Sequence, residues 1–200
     1  SYKIKSDIAC KPNHLSRKII KKKGSLNNPQ NFTDDDLNEM KNWFKMDYYK
    51  ISREKNYKNL DKTIIIEPML FKNNYITDYK FWTFNGKNRV IQVVFYDEKN
   101  NLKRSFYDTN WQKLEFSIYD APNNINIEKP KMLKEMLDLS AEVSKNFELV
   151  RVDMYTDDKN IFIGELTHHP GNAGDVFTDP NGNYVGKKKD LEISKLFLNL

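Results

Sequence analysis

Apolar and polar positions alternate in some stretches of this chain and recur at helical spacing in others, and the boundaries between them are marked by turn residues. Residues 3–8 and 18–22 read as strands flanking "CKPNHLS", where Pro and Asn mark a turn, and "GSLNNPQN" reads as a loop. The stretch "TDDDLNEMKNWFKMDYYKI" predicts one helix, with Thr33 as N-cap, Asp36 three residues on, and Leu37, Met40, Phe44 and Tyr48 at helical spacing. "TIIIEPML" is a short β-branched run closed by Glu67-Pro68. The alternating stretch 78–108 predicts an antiparallel meander, turned first at Asn85-Gly86 and again at Glu98 to Asn101. "IEKPKMLKEMLDLSAEVSKNF" returns to helical spacing through Leu133, Met136, Val143 and Phe147, with Pro130 suited to the first turn. A hairpin over 151–171, a loop rich in Gly, Asn, Asp and Pro, and a closing helix in "DLEISKLFLNL" complete the order. Strand, loop, strand, helix, meander, helix, hairpin, helix is an α+β succession with antiparallel sheets carrying helices.

The hairpin carries the first candidate chemistry. With Asp157-Asp158-Lys159 as the turn, Thr156 faces Asn160, and counting outward places Tyr155 opposite Ile161, Asp153 opposite Ile163 and Arg151 opposite Glu165. Arg151 and Glu165 are then cross-strand partners with Asp153 on the diagonal, so that both carboxylates reach one cation. A solvated Arg-Glu pair that contributes little is the plainer reading. Met154, Tyr155, Ile161, Phe162 and Ile163 around the charges favour a covered sheet, on which two hard-oxygen ligands could hold Mg²⁺ with nucleotide phosphates.

Composition narrows the classes. Two hundred residues at 38% hydrophobic and 13% aromatic content suffice for one sizeable core or two small lobes. No apolar run approaches a membrane span and the start "SYKIKSDIACKPNH" has no signal-peptide core, so a soluble, cytoplasmic protein is expected. Cys10, the only cysteine, rules out an intramolecular disulfide and reads as a buried strand residue. The net charge of +5 comes from lysines spread along the chain apart from "KIIKKK" and "GKKKD", and no nucleic-acid partner is expected.

Three further motifs bear on ligands. Lys11 stands at a strand end before a short loop and a returning strand, as in a hairpin that covers phosphates, although "NHLSRK" has no glycine. Glu67-Pro68 ends a strand that is either buried or an edge, and near Pro68 main-chain groups are expected to be free for an adenine edge. Asp78, Lys80, Trp82 and Phe84 share a strand face, where a carboxylate could hold ribose hydroxyls or simply pair with lysine. His168 and His169 point to opposite sides of an extended segment and are not a chelating pair. No GxSxG, HExxH or full P-loop occurs.

The succession "CKPNHLS", "YYKISREKNYKN", "IIIEPML", "DYKFWTFNGK", "FYDTNWQKL", "RVDMYTDDKNIFIGELTHHPG" resembles the ATP-grasp proteins of bacterial surface-polysaccharide clusters, the teichuronopeptide-biosynthesis-like group, over nearly the whole chain. The resemblance implies an ATP-grasp fold of two α+β lobes, 1–70 and 71–200, with ATP between them. Lys11 then matches the lysine of the phosphate-covering strand. Glu67 opens the adenine hinge, whose backbone contacts come from Pro68, Met69 and Leu70. Asp78 takes the ribose-binding acidic position, and Lys80 is grouped with the nucleotide-binding residues. Asp153 and Glu165 match the Mg²⁺ carboxylates, with Thr167 where many ATP-grasp enzymes carry a metal-binding Asn. Arg151 matches the arginine that steadies the transferred phosphoryl group. Arg53, Glu54 and Tyr57 look like family residues on the acceptor side.

The resemblance implies an ATP- and Mg²⁺-dependent carboxylate–amine ligase that joins an amino acid or amine to a sugar acid of a capsular or other surface polymer. The alternatives are a non-catalytic nucleotide-binding or partner-binding remnant and a glycosyltransferase of the same pathway. Leu15 and Arg17 stand where the family loop carries glycine, and only ten residues precede "KPNH", which is expected of a shortened chain that binds nucleotide more readily than it turns over. A homo-oligomer is left open.

Overall fold

A computed structural model describes the chain apart from residues 1–2, 72–76, 98, 100, 121, 123–124 and 199–200 and the side chains of 172–173. It divides into two compact units, 1–74 and 75–200.

In the first unit β1 (Ile8–Pro12) lies between β2 (Ile20–Lys22) and β3 (Ile64–Pro68), all antiparallel. The first strand thus begins where the pattern ends it; within residues 3–8, Ile4 makes only an isolated bridge to Gln30. Cys10 is fully buried on β1, as expected, and burial raises its thiol pKa. Helix α1 (Asp34–Lys45) has the capping box read from Thr33 and Asp36. The single helix expected over 33–51 is broken, however. Met46 and Asp47 are extended, and the Asp47 carboxylate accepts the Lys50 N–H to cap a separate α2 (Tyr48–Ser52). Lys62 donates to the carbonyls of Phe44 and Met46 at 2.7 Å, satisfying that end of α1. The buried face of α1 is Met40 and Trp43, while Leu37 and Phe44 are exposed.

Asp36 also pairs with Lys22 of β2 at 2.5 Å, tying helix to sheet. Burial, the largest single influence, raises the Asp36 pKa, but Lys22 and Thr33 outweigh it and leave the carboxyl below its ordinary 3.8. With the folded value below the unfolded one, this stabilisation is present above about pH 4 and fades as pH falls through the folded pKa. Thr33→Ala should lower the stability of this unit by about 1 kcal/mol, read from a urea midpoint at pH 7.

In the second unit six strands run in the order β10-β9-β4-β5-β6-β7, every neighbouring pair antiparallel. They are β4 (Asp78–Phe84), β5 (Lys87–Tyr96), β6 (Leu102–Tyr107), β7 (Lys113–Leu114), β9 (Leu149–Thr156) and β10 (Ile161–Thr167). A two-stranded piece joins β8 (Ser117–Ile118) to β11 (Phe177–Thr178). Asn85 and Gly86 turn β4 into β5 with φ of 48° and 69°, the positive pair that a two-residue hairpin needs. The second turn closes through the Asp97 N–H on the Asn101 carbonyl, but Glu98 and Asn100 lie outside the described residues.

Helix α3 (Leu133–Ser144) covers one sheet face and α4 (Gly186–Leu198) part of the other. Under α3 lie Phe81, Ile91, Val93, Val150, Val152 and Met154, and under α4 lie Trp82, Val90 and Phe106. Regular helix starts at Leu133, whose N–H reaches back to the Pro130 carbonyl, so Pro130 stands ahead of the helix. α4 starts four residues before the expected 190, through a lysine run whose lack of apolar residues hides it from periodicity.

Candidate functional site

One sheet face of the second unit sets charged residues in rows across four strands. Strand pairing places Trp82, Arg151 and Thr167 side by side in one row, and Gln92, Lys80, Asp153 and Glu165 in the next. Asp78 stands two residues before Lys80 on β4. This corrects the expected hairpin register. Four residues, Asp157 to Asn160, turn the chain, with the Asp157 carboxylate accepting the N–H groups of Lys159 and Asn160, so Thr156 pairs with Ile161 and not with Asn160. A bulge between Ile163 and Glu165 then shifts the pairing again. Arg151 faces Thr167 and Asp153 faces Glu165; the expected Arg151–Glu165 and Asp153–Ile163 pairs do not form. The two carboxylates are still brought to one face, as direct partners and not diagonal ones.

Asp153 is the centre of the cluster, with 2% of its surface exposed. Its Oδ1 accepts from Arg151 Nε at 2.6 Å, and its Oδ2 from Arg151 Nη2 at 2.8 Å and Lys80 Nζ at 2.5 Å. Lys80 Nζ is also 2.5 Å from Asp78 Oδ2. Arg151 Nη2 donates to Thr167 Oγ1 at 3.1 Å, and that hydroxyl donates to Glu165 Oε1 at 2.9 Å. The guanidinium lies 5.8 Å from the Trp82 ring centre, within cation–π range, and Trp82 packs edge-on against Phe197 of α4. α4 thus holds the ring on which Arg151 rests. Burial, the strongest influence, lowers the Arg151 pKa, but the hydrogen bond and charge of Asp153, with Glu165 and Asp78, raise it on balance. Asp78 is pushed above the ordinary carboxylate value by burial first; Lys80 opposes this and Asp153 adds to it. Its Oδ1 is buried with no hydrogen-bond partner among the described residues.

The donor set fits Mg²⁺ in a specific sense. Mg²⁺ takes oxygen ligands, keeps waters and commonly binds through one or two carboxylates plus substrate phosphates. Asp153 and Glu165 supply such a pair, Glu165 being exposed. Among the described residues, no group of three or more His, Cys, Asp or Glu side chains could hold a metal by itself, so the fit is to a metal shared with phosphate.

The other expected residues belong to the first unit. Lys11 is ion-paired with Glu67, its diagonal neighbour across β1 and β3. β3 proves to be an edge strand, with Ile65 49% and Ile66 41% exposed. Main-chain groups after Pro68 are not all free as expected. Pro68 pairs with Ile8, and the Met69 N–H donates to the carbonyl of Asp7, the residue before β1, at 2.9 Å. Leu70 is exposed. The loop after Lys11 is also tied down. Asn13 exchanges bonds with Asp61 and Thr63, and buried His14 contacts the Trp43 carbonyl at 2.9 Å. Arg53 is left-handed at φ 62°, and Tyr57 packs on Tyr48. His168 packs on Phe147.

Sequence reasoning missed two connections, Lys80 to Asp153 and Arg151 to Trp82. Both depend on β4 pairing with β9, strands some seventy residues apart, and no local pattern announces that. A signal for the bulge was present, since Gly164 interrupts a strand and interior glycines mark bulges.

Antiparallel sheets flanked by helices make this an α+β protein, and comparison with family models gives its class, the ATP-grasp type. More particularly, the family model described as TupA-like ATPgrasp matches residues 2–188, and the chain belongs to that family. No curated protein and no solved structure matches it. Family membership supports nucleotide binding and ATP-dependent ligase-type activity. Among the described residues, no helix is long and apolar enough to cross a membrane.

Proposed function

We propose that the chain acts as an ATP- and Mg²⁺-dependent carboxylate–amine ligase in the assembly of a capsular or other surface polysaccharide. A substrate carboxylate oxygen attacks the γ-phosphorus of ATP and ADP leaves; an amine nitrogen then attacks the acyl carbon of the resulting acyl-phosphate, giving an amide and phosphate. The observation that carries this reading is the buried carboxylate of Asp153, shared by Arg151 and Lys80 and set opposite Glu165. Phosphoryl transfer needs positioning and fixed positive charge more than covalent chemistry from the protein. Arg151, oriented by two bonds to Asp153 and one to Thr167, provides charge that needs no reorganisation as the reaction proceeds. Mg²⁺, held by Asp153 and Glu165 with Thr167 beside them, would neutralise phosphate charge. Asp78 and Lys80 are assigned to the nucleotide. In the first unit we assign Lys11 to phosphate, released from Glu67, and residues 67–70 to the adenine edge. A sugar acid and an amino acid or amine are the proposed acceptors, by analogy with the family group, and the cytoplasm is the proposed compartment.

Calorimetry with ATP, with and without Mg²⁺, tests the reading on this chain and on Glu165→Ala. Glu165 is exposed and fills no core volume, so the variant should keep its melting temperature while losing about tenfold or more of the Mg²⁺-dependent affinity. ATP binding that ignores Mg²⁺ and the substitution would rule out the site.

A further inference from the structure

We propose that the Lys80 ammonium stands in for a divalent cation in the carboxylate cluster, so that metal enters only together with a polyphosphate that draws Lys80 away. The inference rests on the reading of Asp153 and Glu165 as metal carboxylates. Lys80 Nζ lies 2.5 Å from Oδ2 of both Asp78 and Asp153. The ammonium thus bridges two carboxylate oxygens, as a hard cation with oxygen ligands would.

The charges lead to the same assignment. Among the described residues, the cations paired with the carboxylates of Asp78 and Asp153 are Lys80 and Arg151, and with Glu165 beside them the cluster carries one negative charge in excess. A bare divalent ion would meet that small excess and an ammonium already on Asp153, one of the two carboxylates it needs, at the cost of shedding its own water. Without the ammonium the excess is two, the charge a divalent ion neutralises. Among the described residues, Asp78 has an unused acceptor, the buried Oδ1. A polyphosphate changes the balance, because it offers Lys80 new oxygens while bringing negative charge for the metal. Lysine suits the exchange, being a point charge on a flexible four-carbon stem. The backbone of Lys80 stays fixed meanwhile, paired to Gln92 on β5 and Asp153 on β9. Lys80 is thus a specificity-determining residue that makes metal binding conditional on phosphate.

The test uses Mn²⁺ as probe on the full chain without nucleotide, followed by electron spin resonance and melting temperature. Lys80→Met, which keeps the stem and removes the charge, should bind Mn²⁺ about tenfold tighter or more than wild type and be thermally stabilised by it. Lys80→Arg, which keeps the charge, should stay as insensitive as wild type. Equal Mn²⁺ affinity in Lys80→Met and wild type overturns the proposal. Should Lys80→Met not fold, the wild-type chain decides, since it should retain Mn²⁺ with tripolyphosphate and not without. Equal retention in both conditions overturns the proposal as well. Failure of wild type to bind ATP would reject the proposed function, yet leave the comparison between Lys80→Met and wild type readable, because neither arm contains nucleotide.

Discussion

Asp153→Ala is expected to destabilise the second unit by about 3–5 kcal/mol, the largest loss from any single site substitution considered. Asp153 lies in the interior of the sheet and accepts one hydrogen bond from Lys80 of β4 and two from Arg151, its neighbour on β9. Truncation leaves an ammonium and a guanidinium, both mostly buried, against each other where a carboxylate separated them. Asp78 and Glu165 compensate only in part, the first being shared with Lys80 and the second exposed. Asp153→Asn keeps the volume and one acceptor, so it should lose less. Adding Lys80→Met to Asp153→Ala removes one orphaned charge and should recover part of the loss, a coupling that a double-mutant cycle reads directly. Urea unfolding with hydrogen exchange on β9 gives these values; a loss below about 1 kcal/mol would mean that the cluster is far wetter than its burial indicates.

The same cluster shows how far sequence alone reaches. Features encoded within a few residues were legible: the Thr33–Asp36 box, the Asn85-Gly86 turn, and the alternation that sends Phe81, Ile91 and Val152 to one side and Trp82 and Val90 to the other. The shared face of Asp153, Glu165 and Arg151 was legible as well. The break between α1 and α2 was hidden because the apolar spacing runs through Met46 and Asp47, while the interactions that end the helix, Asp47 on the Lys50 N–H and Lys62 on the carbonyls, add no apolar signal. Long-range pairing was hidden for a different reason. Lys80 meets Asp153, and Lys11 meets Glu67, only after strands distant in the chain find each other. A pattern that assigns faces does not assign neighbours.

Gly164→Val should lower Mg²⁺-dependent ATP affinity at least as far as Glu165→Ala does, about tenfold or more, and also cost about 1–3 kcal/mol in stability. Between Ile161 and Ile163 the hairpin register pairs odd residues of β10 with even residues of β9. Continued without interruption, it would set Glu165 opposite Val152 and Thr167 opposite Val150, on the face that α3 covers with apolar side chains. The bulge adds one residue and returns Glu165 to Asp153 and Thr167 to Arg151. Glycine is required there by close approach, since a Cβ on residue 164 would lie 2.4 Å from Tyr155 Cε2. Valine must therefore displace the Tyr155 ring or remove the bulge, and removal takes the proposed metal carboxylate and the hydroxyl partner of Arg151 off the site together. The two routes separate in a second experiment. Gly164→Ala combined with Tyr155→Ala gives the new Cβ room, so it should regain nucleotide affinity if the ring is what enforces glycine. Unchanged affinity in Gly164→Val alone would show that β10 can place Glu165 beside Asp153 without this bulge.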